Sequence, residues 1–219
     1  MDQFIVHSVP GSPFGRAVLV ALEEKGAAYR LAPVVPGTLR SPEHLACHPF
    51  GKVPYVEHGG FVLYETAAIL RYVDRVMPQP ALTPANPQAA ARMDLLMNVN
   101  DWYLFQGVSN VIGFQRIIRP RLMGLAPDED AIAAAMPKAH AVFAELSRQL
   151  GDGPFFVGES ITLADVILAP QLDFFVATPE WEPLTANSPN IRRWLDAMNA
   201  RPSMRATTWE RVAAMAKAA

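Results

Sequence analysis

Residues 48–66 read HPFGKVPYVEHGGFVLYET, and they say more about the fold than any other part of the 219-residue chain. Two short apolar runs, at residues 53–56 and 61–64, flank the turn residues His58-Gly59-Gly60. This pattern is typical of a β-hairpin with a glycine turn. From Glu65 to Met77 the apolar side chains recur at helical spacing on one face, so the hairpin is predicted to lead directly into a helix.

Two features of this stretch suggest ligand binding. Pro54 within a strand loses a ladder hydrogen bond, and a cis bond after Val53 would free the Val53 backbone for an extended peptide. A cis bond is the minority state of X–Pro bonds, so the residues alone leave this open. At Glu65-Thr66, the backbone N–H groups and the Thr66 hydroxyl form an anion site suited to a carboxylate, while Glu65 would face an ammonium. Ordinary helix-start chemistry is the alternative for these two residues.

Upstream, strand and helix patterns alternate. Residues 4–7 predict a buried strand, the prolines of Pro10–Pro13 break the chain, and helical spacing follows from Arg16 to Lys25. Ser12 precedes a proline, which is a preferred first helical residue, so its hydroxyl lies at the positive end of this helix and can donate to an anion. A plain helix cap is the alternative role of Ser12. The other elements predicted before residue 48 are a strand over 29–35 and a short helix from Ser41.

Downstream, four prolines between residues 78 and 87 indicate an interdomain linker, and every later segment has a helical pattern. The predicted helices cover residues 89–118, 129–150, 162–176, 189–200 and 204–217. Pro137 should kink the second of these helices. The third is apolar nearly all round, so we expect it at the centre of a bundle. The expected division is a domain over residues 1–79, a linker over 80–88 and a helical domain over 89–219.

Composition narrows the classes of function. The formal net charge of −2 and the absence of long charge runs disfavour a nucleic-acid partner. A single cysteine, Cys47, suits a reducing compartment. The N-terminal residues lack the pattern of a signal peptide, and no apolar run approaches the ~18 residues that span a membrane. We therefore expect a cytoplasmic protein without membrane association.

Taken together, the N-terminal motifs resemble the first domain of the cytosolic glutathione transferases. GSPFGRAVLVALEEKG at residues 11–26 is similar to the first helix of that family, and YETAAILRY at residues 64–72 matches its Glu-Ser/Thr helix start. Residues 48–54 match the family's Val-Pro segment, except that His48 stands where Asn is usual. The resemblance implies a cis Val53–Pro54 bond.

The C-terminal half adds motifs of its own. Thr162-Leu-Ala-Asp165 is a capping-box pattern with Asp in place of Glu, as at the family's central helix, and we assign it to folding. Residues 189–202 are similar to the family's next helix. The chain is thus identified as a serine-type, bacterial-like member, with an α/β thioredoxin-like N-terminal domain and an all-α C-terminal bundle.

The resemblance implies one residue that stabilises the thiolate of glutathione and five that bind the peptide: Ser12 in the first role, and Arg40, Lys52, Val53, Glu65 and Thr66 in the second. Ser8 is a second candidate for the first role. The expected acceptor pocket consists of Phe14, Trp102, Phe105 and Ile112. Glutathione acts as co-substrate with no further cofactor, and no metal is expected, although His44 and His48 flank Cys47 at i, i+4 spacing.

The expected activity is the addition of glutathione thiolate to small hydrophobic electrophiles, a detoxification reaction, by a homodimer. One alternative is a glutathione-dependent disulfide or peroxide reductase, which Ser12 argues against, because disulfide-reducing members often have Cys at that point. Another is a non-catalytic binding protein with the same fold. Intact Ser12, Val53-Pro54 and Glu65-Thr66 argue against this second alternative.

Overall fold

The computed structural model describes residues 2–218, apart from the side chain of Leu122. Contacts divide the chain into two compact units. The first unit contains the residues up to Thr83 together with the stretch from Asn199 onwards, and the second contains Pro84–Met198. The first unit thus includes the C-terminal stretch, which the sequence analysis grouped with the helical domain.

The first unit is built on a four-stranded sheet in the order β2-β1-β3-β4. The strands are β1 (Phe4–Ser8), β2 (Tyr29–Pro33), β3 (Tyr55–His58) and β4 (Phe61–Tyr64). Strand β1 pairs in parallel with β2, whereas β3 runs antiparallel to both β1 and β4. Gly59 and Gly60, both with positive φ, connect β3 to β4, which confirms the predicted hairpin.

Helices complete this unit: α1 (Pro13–Lys25), a 3₁₀ turn (Pro36–Thr38), α2 (Pro42–Cys47) and α3 (Thr66–Val76). Phe4 and Val6 of β1 are buried, and they form one core with apolar side chains of α1 and α3, including Leu19, Leu22 and Ile69. The period-2 burial of β1 (Phe4, Val6 and Ser8 buried) is what a strand with one core-facing side requires. This mixed sheet with its helices is thioredoxin-like, as expected.

The C-terminal stretch packs on the same unit. It contains α9 (Pro202–Ala206) and α10 (Trp209–Ala218), so the single helix predicted over residues 204–217 is wrong. Thr207 ends the first helix with a hydrogen bond from its hydroxyl to Ser203 O (2.9 Å), and the Thr208 hydroxyl accepts from Arg211 N (3.4 Å) in the second. Local bonding by threonine side chains competes with a continuous helix.

The second unit is helical, with elements α4 (Pro87–Val99), a π-helical segment (Asn100–Met123), α5 (Glu129–Leu150), α6 (Leu163–Val176), α7 (Trp181–Thr185) and α8 (Pro189–Asn199). The long helix predicted over residues 89–118 is interrupted, because Gln106 (ψ 111°) and Gly107 (φ 80°) leave the helical conformation. Asn110 accepts a hydrogen bond from Gly107 N (2.5 Å) where the helix resumes. Helix α5 continues through Pro137.

Helix α6 is buried along most of its length, as its apolar composition predicts. The capping box of Thr162 and Asp165 forms at its start. Helix α7 was not predicted from the sequence. In the part of the chain that the structure describes, no helix combines the length and apolarity needed to cross a membrane.

Candidate active site

The strand register brings three predicted motifs to one end of the sheet. Tyr55 of β3 pairs with His7 of β1 on one side and with Tyr64 of β4 on the other. The loop leading to Ser12 therefore leaves β1 at the same end where Val53-Pro54 enters β3 and where Glu65-Thr66 follows β4. Residues separated by more than 50 positions in the chain are thus grouped by the pairing of the backbone.

Ser12 caps α1. Its backbone is extended (φ −77°, ψ 117°), and its hydroxyl oxygen accepts a hydrogen bond from Gly15 N (3.1 Å). The Ser12 side chain is half-buried. Because the oxygen serves the helix as acceptor, the hydroxyl hydrogen can be donated to a ligand at the positive end of α1.

Ser8, the second candidate, lies beneath α1. Only 2% of its surface is exposed, and a Cβ placed on Gly15 would come within 2.0 Å of the Ser8 hydroxyl oxygen. Gly15 is therefore required for the close approach of the helix to β1. The same approach separates Ser8 from any ligand, so the geometry favours Ser12.

The Val53–Pro54 bond is cis, which confirms that prediction. Val53 precedes the first residue of β3, Tyr55, by two positions and is half-buried. The preceding carbonyl, that of Lys52, accepts a hydrogen bond from His44 Nε2 (2.9 Å). The backbone just before Val53 is thus fixed by a side chain of α2.

Glu65 is the only non-glycine residue with positive φ (68°) in the chain between residues 2 and 218. It occupies the N-cap of α3 and is exposed, and its side chain makes no capping hydrogen bond. A non-glycine residue in such a conformation costs on the order of 1–3 kcal/mol and occurs often at ligand sites. Thr66, the first residue of α3, is buried beside it, and the first N–H groups of the helix are available to an anion.

The two predicted cations lie on neighbouring backbone. A Cβ placed on Gly51 would be 3.2 Å from Cδ and Nη1 of Arg40, so this guanidinium lies against the residue before Lys52. Both Arg40 and Lys52 are exposed. A carboxylate near this loop can therefore meet two positive charges.

The expected acceptor residues differ in accessibility. Trp102 is 65% exposed, whereas Phe14 and Phe105 are half-buried. Ile112 has no exposed surface. Ile112 thus packs in the core of this structure, and its place in the acceptor pocket stays a prediction.

Sequence reasoning missed the contribution of two histidines near the end of α2. The rings of His44 and His48 are nearly parallel, with centroids 6.3 Å apart, and both side chains are buried. Within residues 2–218, no three His, Cys, Asp or Glu side chains are placed to hold a metal ion. Their i, i+4 spacing just before Val53-Pro54 was the available signal, but the sequence analysis considered it only as a metal site, which it did not favour.

This arrangement suits a short peptide that carries charges at both ends. At one end, a carboxylate can bind the start of α3 while an ammonium pairs with Glu65. At the other end, a second carboxylate can bind Lys52 and Arg40. The Val53 backbone can pair with the peptide between these ends. The hydroxyl of Ser12 can then donate to an anionic atom in the middle of the peptide.

Comparisons with known proteins agree with this geometry. Residues 2–75 match the family described as Glutathione S-transferase, N-terminal domain, and residues 129–197 match Glutathione S-transferase, C-terminal domain. The probable glutathione S-transferase GSTF2 of Oryza sativa subsp. japonica is 31% identical over 84% of this chain and 86% of its own length.

Two solved structures extend the likeness to nearly the whole chain. Glutathione transferase F2 from Populus trichocarpa is 27% identical with a TM-score of 0.84, and the match covers 99% of this chain and 100% of that one. Glutathione S-transferase-I bound with lactoylglutathione is also 27% identical, with a TM-score of 0.82 and coverage of 97% and 99%.

Curated relatives from rice, maize and wheat do not support the serine-type, bacterial-like subgroup expected from the sequence. They do support the family itself, because more than four fifths of the chain aligns at 31% identity with a protein of that name. Both family domains are matched in the order found here. The chain belongs to the glutathione S-transferase family.

Proposed function

We propose that this family member binds glutathione at the end of the sheet and transfers it, as a thiolate stabilised by Ser12, to small hydrophobic electrophiles. The observation that carries this proposal is the convergence of a helix-capping serine, the Val53-Pro54 segment that enters β3 and a positive-φ Glu65 at one end of one sheet. Detoxification of reactive compounds is the corresponding biological role.

Each end of glutathione has a partner in this site. Glu65 faces the ammonium of the γ-glutamyl group, while Thr66 and the first N–H groups of α3 hold its carboxylate. Lys52, with Arg40 beside it, neutralises the glycine carboxylate. The Val53 backbone pairs with the cysteine residue between these ends, which brings the sulfur towards the start of α1.

The energy available at Ser12 is sufficient for activation. A free thiol has a pKa near ~8.5, and lowering that pKa by about 2 requires about 2.7 kcal/mol of preferential thiolate binding. A hydrogen bond to a charged group contributes about 1.5–3 kcal/mol, and a helix N-terminus contributes about 0.3–2 kcal/mol more. One serine at one helix start therefore suffices.

We assign contact with the hydrophobic electrophile to Phe14, Trp102 and Phe105, since each has accessible aromatic surface. Burial of small apolar compounds against such side chains is driven by the hydrophobic effect, which is non-directional. The electrophile that accepts glutathione is therefore expected to have an apolar aromatic or alkyl body and one reactive carbon.

A reductase function is less well supported. A serine hydroxyl at the start of α1 cannot form a mixed disulfide. The single cysteine, Cys47, lies at the end of α2, where its side chain contacts the Tyr55 hydroxyl. A single cysteine also suits a reducing compartment, so we propose a cytoplasmic location.

We also propose a homodimer. Strand β4 forms the edge of the sheet, and its Phe61 and Val62 are 49% and 39% exposed. Beside them lies an open surface cavity of about 520 Å³ lined by Phe61, Ala67, Ala68 and Tyr72, among others. Exposed apolar surface next to an unpaired strand edge is typical of an interface.

The direct test measures binding and turnover together. Calorimetry with glutathione should give a single site per chain, and thioether formation should follow with aryl halide or enone electrophiles. A panel of peroxides and mixed disulfides run in parallel tests the reductase alternative. Binding without turnover on any panel would favour a non-catalytic protein, and absence of binding would contradict the proposal.

A further inference from the structure

The end of α2 carries a pair of buried histidines that contact both sides of the proposed glutathione site. His44 is 6% exposed and its Nε2 bonds to the Lys52 carbonyl. Because a carbonyl only accepts, His44 carries a proton on Nε2. Its ring thereby orients the Lys52–Val53 peptide, which precedes the cis bond.

His48 supports the other side of the site. Its ring centroid lies 5.0 Å from that of Tyr64, the residue immediately before Glu65. Its backbone ties the loop together, since His48 N donates to His44 O (2.8 Å) and His48 O accepts from Gly51 N (2.9 Å). One side chain thus touches the segment that bears Glu65, and its backbone holds the loop that bears Lys52.

The imidazole of His48 is buried, and one of its two ring nitrogens lacks a hydrogen-bond partner within residues 2–218. Only 2% of the residue is exposed, and Nδ1 has no partner among the described residues. An unpaired buried polar atom costs about 1–3 kcal/mol and calls for an explanation other than stability. Packing alone would be served better by an apolar ring at this position.

We propose that His48, acting with His44, is a positioning residue for the proposed glutathione site, and that it holds Glu65 and the Lys52–Val53 backbone in their binding geometry only while the His48 imidazole is neutral. This inference rests on the proposed function. It gives His48 a role in the pH dependence of glutathione affinity.

The charges around the pair determine the direction of this control. Burial lowers the pKa of His48 below the usual histidine value. Among its neighbours, Glu65 raises that pKa most, whereas His44 and Lys52 lower it. Tyr64 is the other titratable side chain that packs on the ring.

Glutathione binding removes the main stabiliser of a charged His48. When the ligand ammonium pairs with Glu65, the carboxylate no longer favours the imidazolium, so the bound protein holds its proton on His48 less tightly than the free protein. By linkage, affinity then falls as the pH drops through the range where His48 becomes protonated.

The test uses S-methylglutathione, which has no thiol and whose carboxylates ionise well below the range examined. By calorimetry, the dissociation constant of wild type should be at least about threefold higher at about pH 5.5 than at about pH 7. His48→Asn should abolish this change. His140→Asn, an exposed histidine on α5, is the matched control and should retain it.

A second measurement on wild type covers the case in which His48→Asn does not fold. The proton NMR signal of the His48 ring should titrate at lower pH with S-methylglutathione than without it. An unchanged titration, or a His48→Asn protein with the pH dependence of wild type, overturns the inference. Failure of wild type to bind at about pH 7 would instead overturn the proposed function, and the inference with it.

Discussion

At the scale of single residues, the proposed activation of glutathione depends on the difference between two serines. Ser12 is accessible at the start of α1, whereas Ser8 is covered by the helix that Gly15 allows to approach. Their hydroxyls are chemically identical, so only position separates a group that reaches a ligand from one that packs against the backbone. Sequence spacing could place both near the end of β1 but could not rank them by accessibility.

Replacing Ser12 by Ala should lower turnover with a reactive aryl electrophile about tenfold or more near neutral pH. The reason is the loss of a charged hydrogen bond to the thiolate, which contributes about 1.5–3 kcal/mol. The deficit should shrink at high pH, where the thiol ionises unaided. Steady-state rates against pH measure both effects.

Ser8→Ala is the matched control, because it removes the same group from beneath α1. Its rates should stay close to those of wild type once corrected for the folded fraction. A tenfold loss in Ser8→Ala with normal rates in Ser12→Ala would reverse the assignment.

The residues of the glutathione site could be predicted individually, but the conformation of one of them could not. Glu65 and Thr66 were expected at a helix start from local pattern alone. The positive φ of Glu65 depends on the hairpin before it and the helix after it, since no local preference of glutamate favours that region. His48 was visible in the sequence, but its burial and the lack of a partner for its Nδ1 among the described residues depend on the folded structure, which packs its ring against Phe50 and Tyr64.

At the scale of secondary-structure elements, helix α6 depends on Asp165. Its Oδ1 accepts from Phe156 N and Trp194 Nε1, and its Oδ2 accepts from the backbone and hydroxyl of Thr162, all at 2.9–3.0 Å. Asp165 thus joins the start of α6 to the preceding loop and to α8.

Asp165→Ala should therefore lower the free energy of unfolding by about 3 kcal/mol or more, because several buried donors lose their acceptor. Thr162→Ala removes only the cap and should cost about 1 kcal/mol. Urea unfolding measures both, with glutathione affinity per folded molecule expected to stay near that of wild type. Loss of affinity at unchanged stability would contradict the purely structural role.

The C-terminal stretch is held to α1 by a carboxylate. Glu24 receives two hydrogen bonds from Arg201 (both 2.7 Å) and one from Ser203. Burial alone would raise the pKa of Glu24, but the bonds from Arg201 and Ser203 outweigh it and hold that pKa below its usual value. Such a group stabilises the folded state above its unfolded pKa, near ~4.3, and loses that effect as the pH falls through its folded pKa.

Glu24→Gln should lower stability at neutral pH by about 1–2 kcal/mol and flatten the loss of stability on acidification below about pH 4.5. Thermal melting across this range provides the measurement. Glu159→Gln, at an exposed loop residue, is the control and should keep the acid slope of wild type. An unaltered slope in Glu24→Gln would show that this contact contributes little.

The sequence pattern could not predict which glycine interrupts the helical segment after α4. Gly107 and Gly113 lie in one apolar segment, yet Gly107 breaks the helix while Gly113 lies where a Cβ would come within 2.5 Å of Phe174. A single glycine destabilises a helix by only about 1 kcal/mol relative to alanine. The helix could therefore continue through either glycine or be interrupted there. The neighbouring Asn110 and Lys138, which bond to the backbone at 106–107, decide between them.

At the scale of the whole molecule, the proposed homodimer places the interface beside the glutathione site, since Glu65 also lines the cavity next to β4.

Phe61→Asp should raise the dimer dissociation constant at least about tenfold, because it puts a charge into an apolar contact. Val35→Asp, at an apolar residue 64% exposed elsewhere on the first unit, should leave association unchanged. Sedimentation velocity distinguishes them, and a wild-type monomer at micromolar concentration would contradict the dimer.

The division of the molecule was predictable only in outline. The proline-rich stretch after residue 77 marked the end of the sheet-bearing part, because prolines disfavour both helix and sheet. The return of the C-terminal stretch to the first unit was not predictable, since it depends on tertiary contacts such as Arg16 over the Trp209 ring (4.5 Å). Helical periodicity identifies an element but does not say which core receives it.

The ultraviolet absorbance of the bound glutathione thiolate, recorded against pH for wild type and Ser12→Ala, tests the central claim most directly. In wild type, the bound thiol should ionise about 2 pH units below the free thiol value of about 8.5. Ser12→Ala should shift the curve upward by about 1–2 pH units, which corresponds to one charged hydrogen bond. Superimposable curves for the two proteins would contradict the account and leave Ser12 as a helix cap only.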